Sequence, residues 1–171
     1  MAALAHSESD KSTRWRRVAA ASDLRAAASS GRGLFVARDE SRGDPPLALF
    51  LSPKDDSVFA LEDACPHAGH QMSKSDQLIG DIEDYAPGCG LGVVVACPAH
   101  AFTYDAASGY CLSNPGSGGR ASRWEARLDR GGVFVGSLIP VSTFVPAVTK
   151  EQADRMQLAL VGQALERKYG S

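Results

Sequence analysis

Two short segments constrain this chain more than anything else in it: Cys65-Pro66-His67 and Cys97-Pro98-Ala99-His100. Each offers one thiolate and one imidazole, and no other stretch gathers metal-ligating side chains so densely. Between His67 and Cys97 lie 29 residues, so the segments read as separate loops that one metal centre would staple together. Disulfide pairing among Cys65, Cys89, Cys97 and Cys111 is the simpler alternative. Against it, nothing near the N-terminus resembles a secretory signal, and two of the four stand at ligand spacing from a histidine.

Two sulfurs and two nitrogens suit tetrahedral zinc. A zinc finger closes a far shorter loop than 29 residues, however. A chain of this length also buries roughly 68–70% of its unfolded surface, enough for a core without a structural metal. A [2Fe-2S] cluster in which two imidazoles replace two thiolates on one iron fits the order Cys-x-His and Cys-x-x-His better. Each loop then gives its Cys to one iron and its His to the other, with the thiolate iron inward and the imidazole iron near the surface. Neutral imidazoles make such a cluster less negative and raise its potential, into a window of roughly −150 to +300 mV. Structural zinc in the same four side chains remains the alternative.

The rest of the chain reads as many short strands. Segments 15–18, 34–38, 47–51, 58–61, 92–96, 102–105, 124–128 and 133–135 are apolar or alternating, and Gly, Pro, Asp and Ser clusters separate them. Val93-Val94-Val95 is a β-branched run expected of a buried strand. Ser22 or Asp23 is the expected N-cap of a short Ala-rich helix that Gly31 and Gly33 end. The segment 76–92 reads as a polar connection carrying Asp81, Glu83 and Asp84, either a patch that steers a basic partner or a plain solvated loop. Cys89 within it is expected to be a free thiol, and Cys111 to pack as a small apolar side chain.

After Pro146 the period changes. Ala153, Met156, Leu160, Val161, Ala164 and Leu165 recur at helical spacing, and Thr149 with Gln152 has the form of a capping box. The expected architecture is all-β, an antiparallel sandwich or barrel, with a C-terminal α-helix lying on it as a lid. Its expected parts are a disordered tail over 1–14 that includes His6, a domain over 15–145, and an amphipathic helix over 146–171. A net charge of −2 without clustered Lys or Arg gives no support for nucleic-acid binding. No apolar run approaches a membrane span.

The two loops and their surroundings resemble the Rieske domain family. Cys65-Pro66-His67-Ala68-Gly69 and Cys97-Pro98-Ala99-His100 carry the resemblance. Tyr104-Asp105 followed by Gly109, and Asn114-Pro115-Gly116, extend it over about residues 15–137. The segment 78–85 is similar to the small soluble Rieske-domain proteins of eukaryotes, though the connection between the loops is longer than usual in the family. The resemblance implies a Rieske-like fold with two cluster-binding loops. It implies one [2Fe-2S] cluster per subunit, held by Cys65, His67, Cys97 and His100. It also implies that the Tyr104 phenol donates toward the cluster and that Pro115 belongs to a loop folded over it. His70 is expected as an exposed residue beside the cluster, with a third-ligand role as the alternative.

This chain departs from respiratory-chain members of the family in three positions. Those members carry an extra Cys in each loop and pair them; His70 and Ala99 stand there instead. Phe102 stands where they donate a Ser hydroxyl. Hydrogen bonds to cluster sulfur favour the more negative, reduced state. The implied potential is therefore low to intermediate, below about +200 mV, the upper part of the family window.

The implied function is electron transfer, one electron at a time, from a reductase to an oxygenase or other acceptor. The chain is then an electron carrier and no enzyme by itself. A mononuclear iron catalytic centre needs two His and a carboxylate on further chain; 34 residues follow Ser137, and none is His. No Gly-rich nucleotide fingerprint follows a strand. The alternatives are the small subunit of a multi-subunit reductase of the nitrite-reductase type, and a zinc-binding module. The acidic Glu8 and Asp10 argue against a transit peptide, so the cytoplasm is the expected compartment.

Overall fold

The computed structural model describes residues 14–78 and 82–170; residues 1–13 of the expected tail over 1–14, His6 among them, and Asp81 of the acidic segment lie outside the described residues. In chain order the elements are β1 (Arg16–Ala20), α1 (Ala21–Ser29), β2 (Leu34–Val36), β3 (Leu47–Leu51), β4 (Val58–Glu62), β5 (Asp76–Gln77), β6 (Val94–Ala96), β7 (Thr103–Asp105), β8 (Arg123–Asp129), β9 (Gly132–Ile139) and α2 (Lys150–Tyr169). Two antiparallel sheets result, one in the order β1-β9-β8-β4-β3-β2 and the other in the order β5-β6-β7. This is the expected all-β architecture with a C-terminal helix.

Strand alternation distributes the core into three layers. Along β3, Leu47, Leu49 and Leu51 face α1 and the large-sheet core, while Ala48 and Phe50 face the small sheet. Successive side chains of a strand point to opposite faces, so an all-apolar strand is buried on both. The β-branched run behaves the same way. Val93 and Val95 enter the layer between the sheets with Cys65, Cys97 and Tyr104, whereas Val94 and Ala96 meet α2. The strand β6 is thus central, and it ends directly at the second Cys-His loop.

Helix α2 is the lid. The Thr149–Gln152 capping box is formed in both directions, and Ala153, Met156 and Leu160 bury against Leu78, Ile82, Ala86, Val94, Ala96 and Leu112. Two polar straps fix it. Gln157 Nε2 donates to the Ala101 carbonyl at 2.8 Å. Arg167 donates to the Ser30 and Gly31 carbonyls at 3.0 and 3.2 Å and pairs with Asp76 at 2.7 Å. Val161 and Leu165, expected in the buried face, point outward instead. The apolar pattern is wider than the stripe that one small sheet can cover.

Other elements differ from the expectation. The connection over 76–92 is only partly polar: Leu78, Ile82 and Ala86 are buried under α2, while Glu83 and Asp84 stay exposed. Its apolar residues are too sparse to show a period, and a partner helix 70 residues away gives them their burial. Helix α1 begins one residue before Ser22, with Ala20 as N-cap and no side-chain cap. The Gly131 carbonyl of the β8–β9 turn accepts the Ala21 N–H at 2.9 Å, so a distant turn takes the capping role. The strand β9 runs on to Ile139 because Trp124 and Arg123 of β8 pair with Leu138 and Ile139.

The turn after β7 depends on one glycine. Gly109 has φ +72°, and a Cβ there would drive into the Ala121 carbonyl carbon and oxygen. Its own carbonyl accepts the Ala121 N–H at 2.9 Å, which locks the approach. Gly109→Ala is expected to cost about 2–5 kcal/mol, from left-handed strain plus overpacking. The shift of the urea midpoint measures it; a shift near zero would mean the turn relaxes freely.

Candidate metal centre

Each ligand-bearing loop leaves a strand and is closed by the same pair of backbone bonds. After β4, Cys65 N–H donates to the His70 carbonyl at 2.8 Å, and Gly69 N–H donates to the Cys65 carbonyl at 2.7 Å. After β6, Cys97 N–H donates to the Phe102 carbonyl at 2.8 Å, and Ala101 N–H donates to the Cys97 carbonyl at 2.9 Å. The residue four places after each Cys is left-handed, Gly69 at φ +72° and Ala101 at φ +55°. The alanine tolerates a conformation costing about 1–2 kcal/mol. Gln157 braces its carbonyl from α2. The loops are therefore structural copies although their histidines fall at different spacings.

The copies place sulfur inside and imidazole outside. Cys65 and Cys97 are each 2% exposed, while His67 and His100 are exposed. The imidazole rings meet edge to face with centroids 5.0 Å apart and planes at 89°. The Phe102 ring lies 4.4 Å from that of His67. His70 stands at the rim with its ring 5.9 Å from that of His100.

Loop amides converge on the sulfurs. The N–H groups of His67 and Ala68 address Cys65 Sγ, and those of Ala99 and His100 address Cys97 Sγ. Burial pushes the Cys65 thiol up, but donation from Tyr104, from Cys97 and from its two loop amides outweighs this and holds it below the ordinary thiol value. Burial raises the Cys97 thiol, its two amides only partly offset that, and the neighbouring Cys65 adds to it. The two sulfurs are thus neighbours in one buried, donor-rich floor, suited to hold negative charge on sulfur.

Among the described residues no three His, Cys, Asp or Glu side chains converge where a single metal ion would sit. The four side chains form two pairs, a sulfur pair within and a nitrogen pair at the surface, instead of one tetrahedron. That arrangement suits a two-metal cluster with unlike ends.

Tyr104 lies beneath this floor, fully buried. Its hydroxyl is 3.5 Å from Cys65 Sγ and donates to the Gly118 carbonyl at 2.8 Å. Burial, with the adjoining thiols, holds its phenol well above the usual range, so it stays protonated. Cys111 is buried beside it, its thiol pushed up by burial, and Cys89 is half-buried beneath α2. All four cysteines are unpaired. The loop 113–119 approaches the first ligand loop through Gly119, where a Cβ would lie 3.0 Å from Pro66 Cβ, while Gly118 packs against Cys111. Pro115 itself lines a groove with Tyr110, Leu112, Val145 and Val148.

Sequence reasoning named the four ligand-grade side chains, Tyr104 and the loop of Pro115. It missed the four loop amides, the Gly118 carbonyl and Gln157. Backbone donors carry no residue signature, and Gln157 meets Ala101 only through the seating of α2.

Comparison with known proteins follows the same direction. The family described as Rieske [2Fe-2S] domain matches residues 14–127. A chain of the complex of reduced oxygenase and oxidised ferredoxin in carbazole 1,9a-dioxygenase is 27% identical with a TM-score of 0.52, covering 72% of this chain and 93% of its own. A protein described as the small subunit of an NADH-dependent nitrite reductase from Mycobacterium tuberculosis is 25% identical with a TM-score of 0.55, covering 73% of this chain and 96% of its own. NdmB of Pseudomonas putida CBB5, 20% identical with a TM-score of 0.54, shares the fold over 71% of this chain and 34% of its own. No curated protein sequence matches the chain.

Proposed function

Because this chain belongs to the Rieske [2Fe-2S] domain family, whose members carry electrons on such a cluster, we propose that Cys65 and Cys97 hold one iron and that His67 and His100 hold the other. The observation that carries the assignment is the division of the four side chains into a buried sulfur pair and an exposed imidazole pair on two matched loops. The bound cluster supplies a reversible one-electron couple. The chain's own groups do the rest. The loop amides and Tyr104 hold charge on the sulfurs, the apolar layer between the sheets keeps water from them, and the exposed imidazole edges give a partner a short approach.

The chain is a carrier without a reaction of its own, working between a reductase and an oxygenase or other acceptor. Likeness to a chain of the carbazole dioxygenase ferredoxin–oxygenase complex supports this over most of both lengths. The residues 15–145 carry the cluster, and α2 after them adds the lid. Four unpaired thiols suit a reducing compartment, the cytoplasm, and no helix among the described residues is long and apolar enough to cross a membrane. Iron and acid-labile sulfide in equal amounts, with a rhombic EPR signal of low average g on reduction, are expected of the purified protein. Zinc without sulfide would overturn the assignment. Recovery from the native source as a stable heteromer would overturn the stand-alone carrier in favour of a reductase subunit.

Tyr104 tunes the couple. A thiolate at Cys65 competes with the Gly118 carbonyl for the same hydroxyl proton, and charge assistance favours the sulfur. Tyr104→Phe is expected to lower the midpoint by about 20–65 mV, equivalent to one net hydrogen bond. Voltammetry reads it directly, and an unmoved midpoint would mean that the hydroxyl keeps donating to the Gly118 carbonyl.

A further inference from the structure

We propose that Gln157 of α2 is a positioning residue for His100, so that the seating of the lid orders one imidazole of the metal centre and leaves the other alone. The proposal rests on the assignment of His100 as a ligand. The two ligand loops carry the same backbone bonds but differ at the residue that turns left-handed, Gly69 at φ +72° in the first and Ala101 at φ +55° in the second. Glycine takes that conformation freely. It is unfavourable for alanine, whose Cβ crowds the carbonyl oxygen that follows it. That oxygen is the one α2 holds, since Gln157 Nε2 donates to the Ala101 carbonyl at 2.8 Å. The strained residue stands directly after His100. The loop without the glycine is therefore the loop with the brace.

The supports of the two loops also differ in origin. The first is tied within its own stretch of chain, where the Asp63 carboxylate accepts from the Ser73 N–H and hydroxyl across the loop. The second is held from a residue 56 positions away. Met156 and Leu160 seat α2 on Val94 and Ala96 of β6, the strand that ends at Cys97. Gln157 follows Met156 and reaches the loop beyond the strand end. Arg167 pairs with Asp76 and fixes the far end of the helix. Among the described residues, the hydrogen bonds from α2 to a ligand loop go to the second loop alone. The family match ends at residue 127, so the brace comes from outside it. Without the brace, Ala101 is drawn toward the right-handed region. Its carbonyl then turns, the peptide joining it to His100 tilts, and the imidazole samples a wider range of orientations.

Gln157→Met keeps the side-chain length and the helix propensity and removes the donor. Two readouts on the full chain test the proposal. Amide hydrogen exchange over residues 97–102 is expected to speed by about two- to tenfold, the worth of one net hydrogen bond, with 65–70 unchanged. In the reduced, cluster-loaded protein, pulsed EPR resolves the nitrogen couplings of the two imidazoles; one is expected to shift or broaden and the other to hold. Ala101→Gly places at the strained position a residue at ease there, as Gly69 is. Added to Gln157→Met, it is expected to bring both readouts back toward wild type. Exchange that changes in neither loop, or equally in both, overturns the proposal. So does faster exchange over 97–102 with both couplings unmoved, because Gln157 then braces backbone without reaching the imidazole. Failure of Ala101→Gly to rescue overturns it as well. Absence of iron would instead sink the cluster assignment. The exchange contrast between the loops needs no cluster and would still decide whether Gln157 braces the second one.

Discussion

Replacement of Cys97 by Ser is expected to yield a folded protein without a cluster. Serine is nearly isosteric, and its oxygen can still accept the Ala99 and His100 amides that address the sulfur. It is a poor substitute for a thiolate toward iron, and it sits in a floor that excludes water. The large-sheet core around Leu24, Leu49 and Val135 and the α2 core around Met156 and Leu160 do not include Cys97, so both should form without it. Visible absorption, iron and sulfide should fall to background, while far-ultraviolet circular dichroism keeps the wild-type shape. Cys65→Ser should behave alike, since its loop repeats the same backbone bonds. Full iron retention in both variants would remove the sulfur pair from the centre.

The second large effect concerns the imidazole end. Replacing His100 by Cys exchanges a neutral ligand for an anionic one at the exposed edge of the site. The added negative charge disfavours the reduced state, and the midpoint should fall from the family window to below about −150 mV, toward the ≈ −400 mV of all-thiolate ferredoxins. His67→Cys should move it the same way, because the two rings stand together at the surface, 5.0 Å apart. The wild-type midpoint should lie below about +200 mV, since Phe102 packs an apolar ring against His67 where a hydroxyl donor would raise the potential. Redox titration followed by EPR measures all three. A midpoint unmoved by either replacement would exclude imidazole ligation.

Strand and loop assignments succeeded where the signal was local. The segment 47–51 was readable as a strand from its apolar run and coincides with β3, and the Thr149–Gln152 box marks the start of α2 to the residue. Assignments failed where another element supplied the burial or the bond. The turn at Gly131 caps α1 in place of Ser22 or Asp23, and α2 turns Leu78, Ile82 and Ala86 from a polar connection into core. The outward Leu158 and Leu165 are the converse case, since periodicity counts apolar residues without saying which neighbour meets them.

Residue chemistry and spacing alone picked out Cys65, His67, Cys97 and His100 as side chains of metal-ligating type, and placed them in two loops fed by short strands. Only the folded chain decided that the sulfurs point inward together and the imidazoles outward together, and that shared amides and Tyr104 surround the sulfurs. Ligand type is a property of single side chains, readable one position at a time. Orientation, burial and charge stabilisation are relations between atoms far apart in the chain, and those distances are set when β6 pairs between β5 and β7 and α2 closes over them.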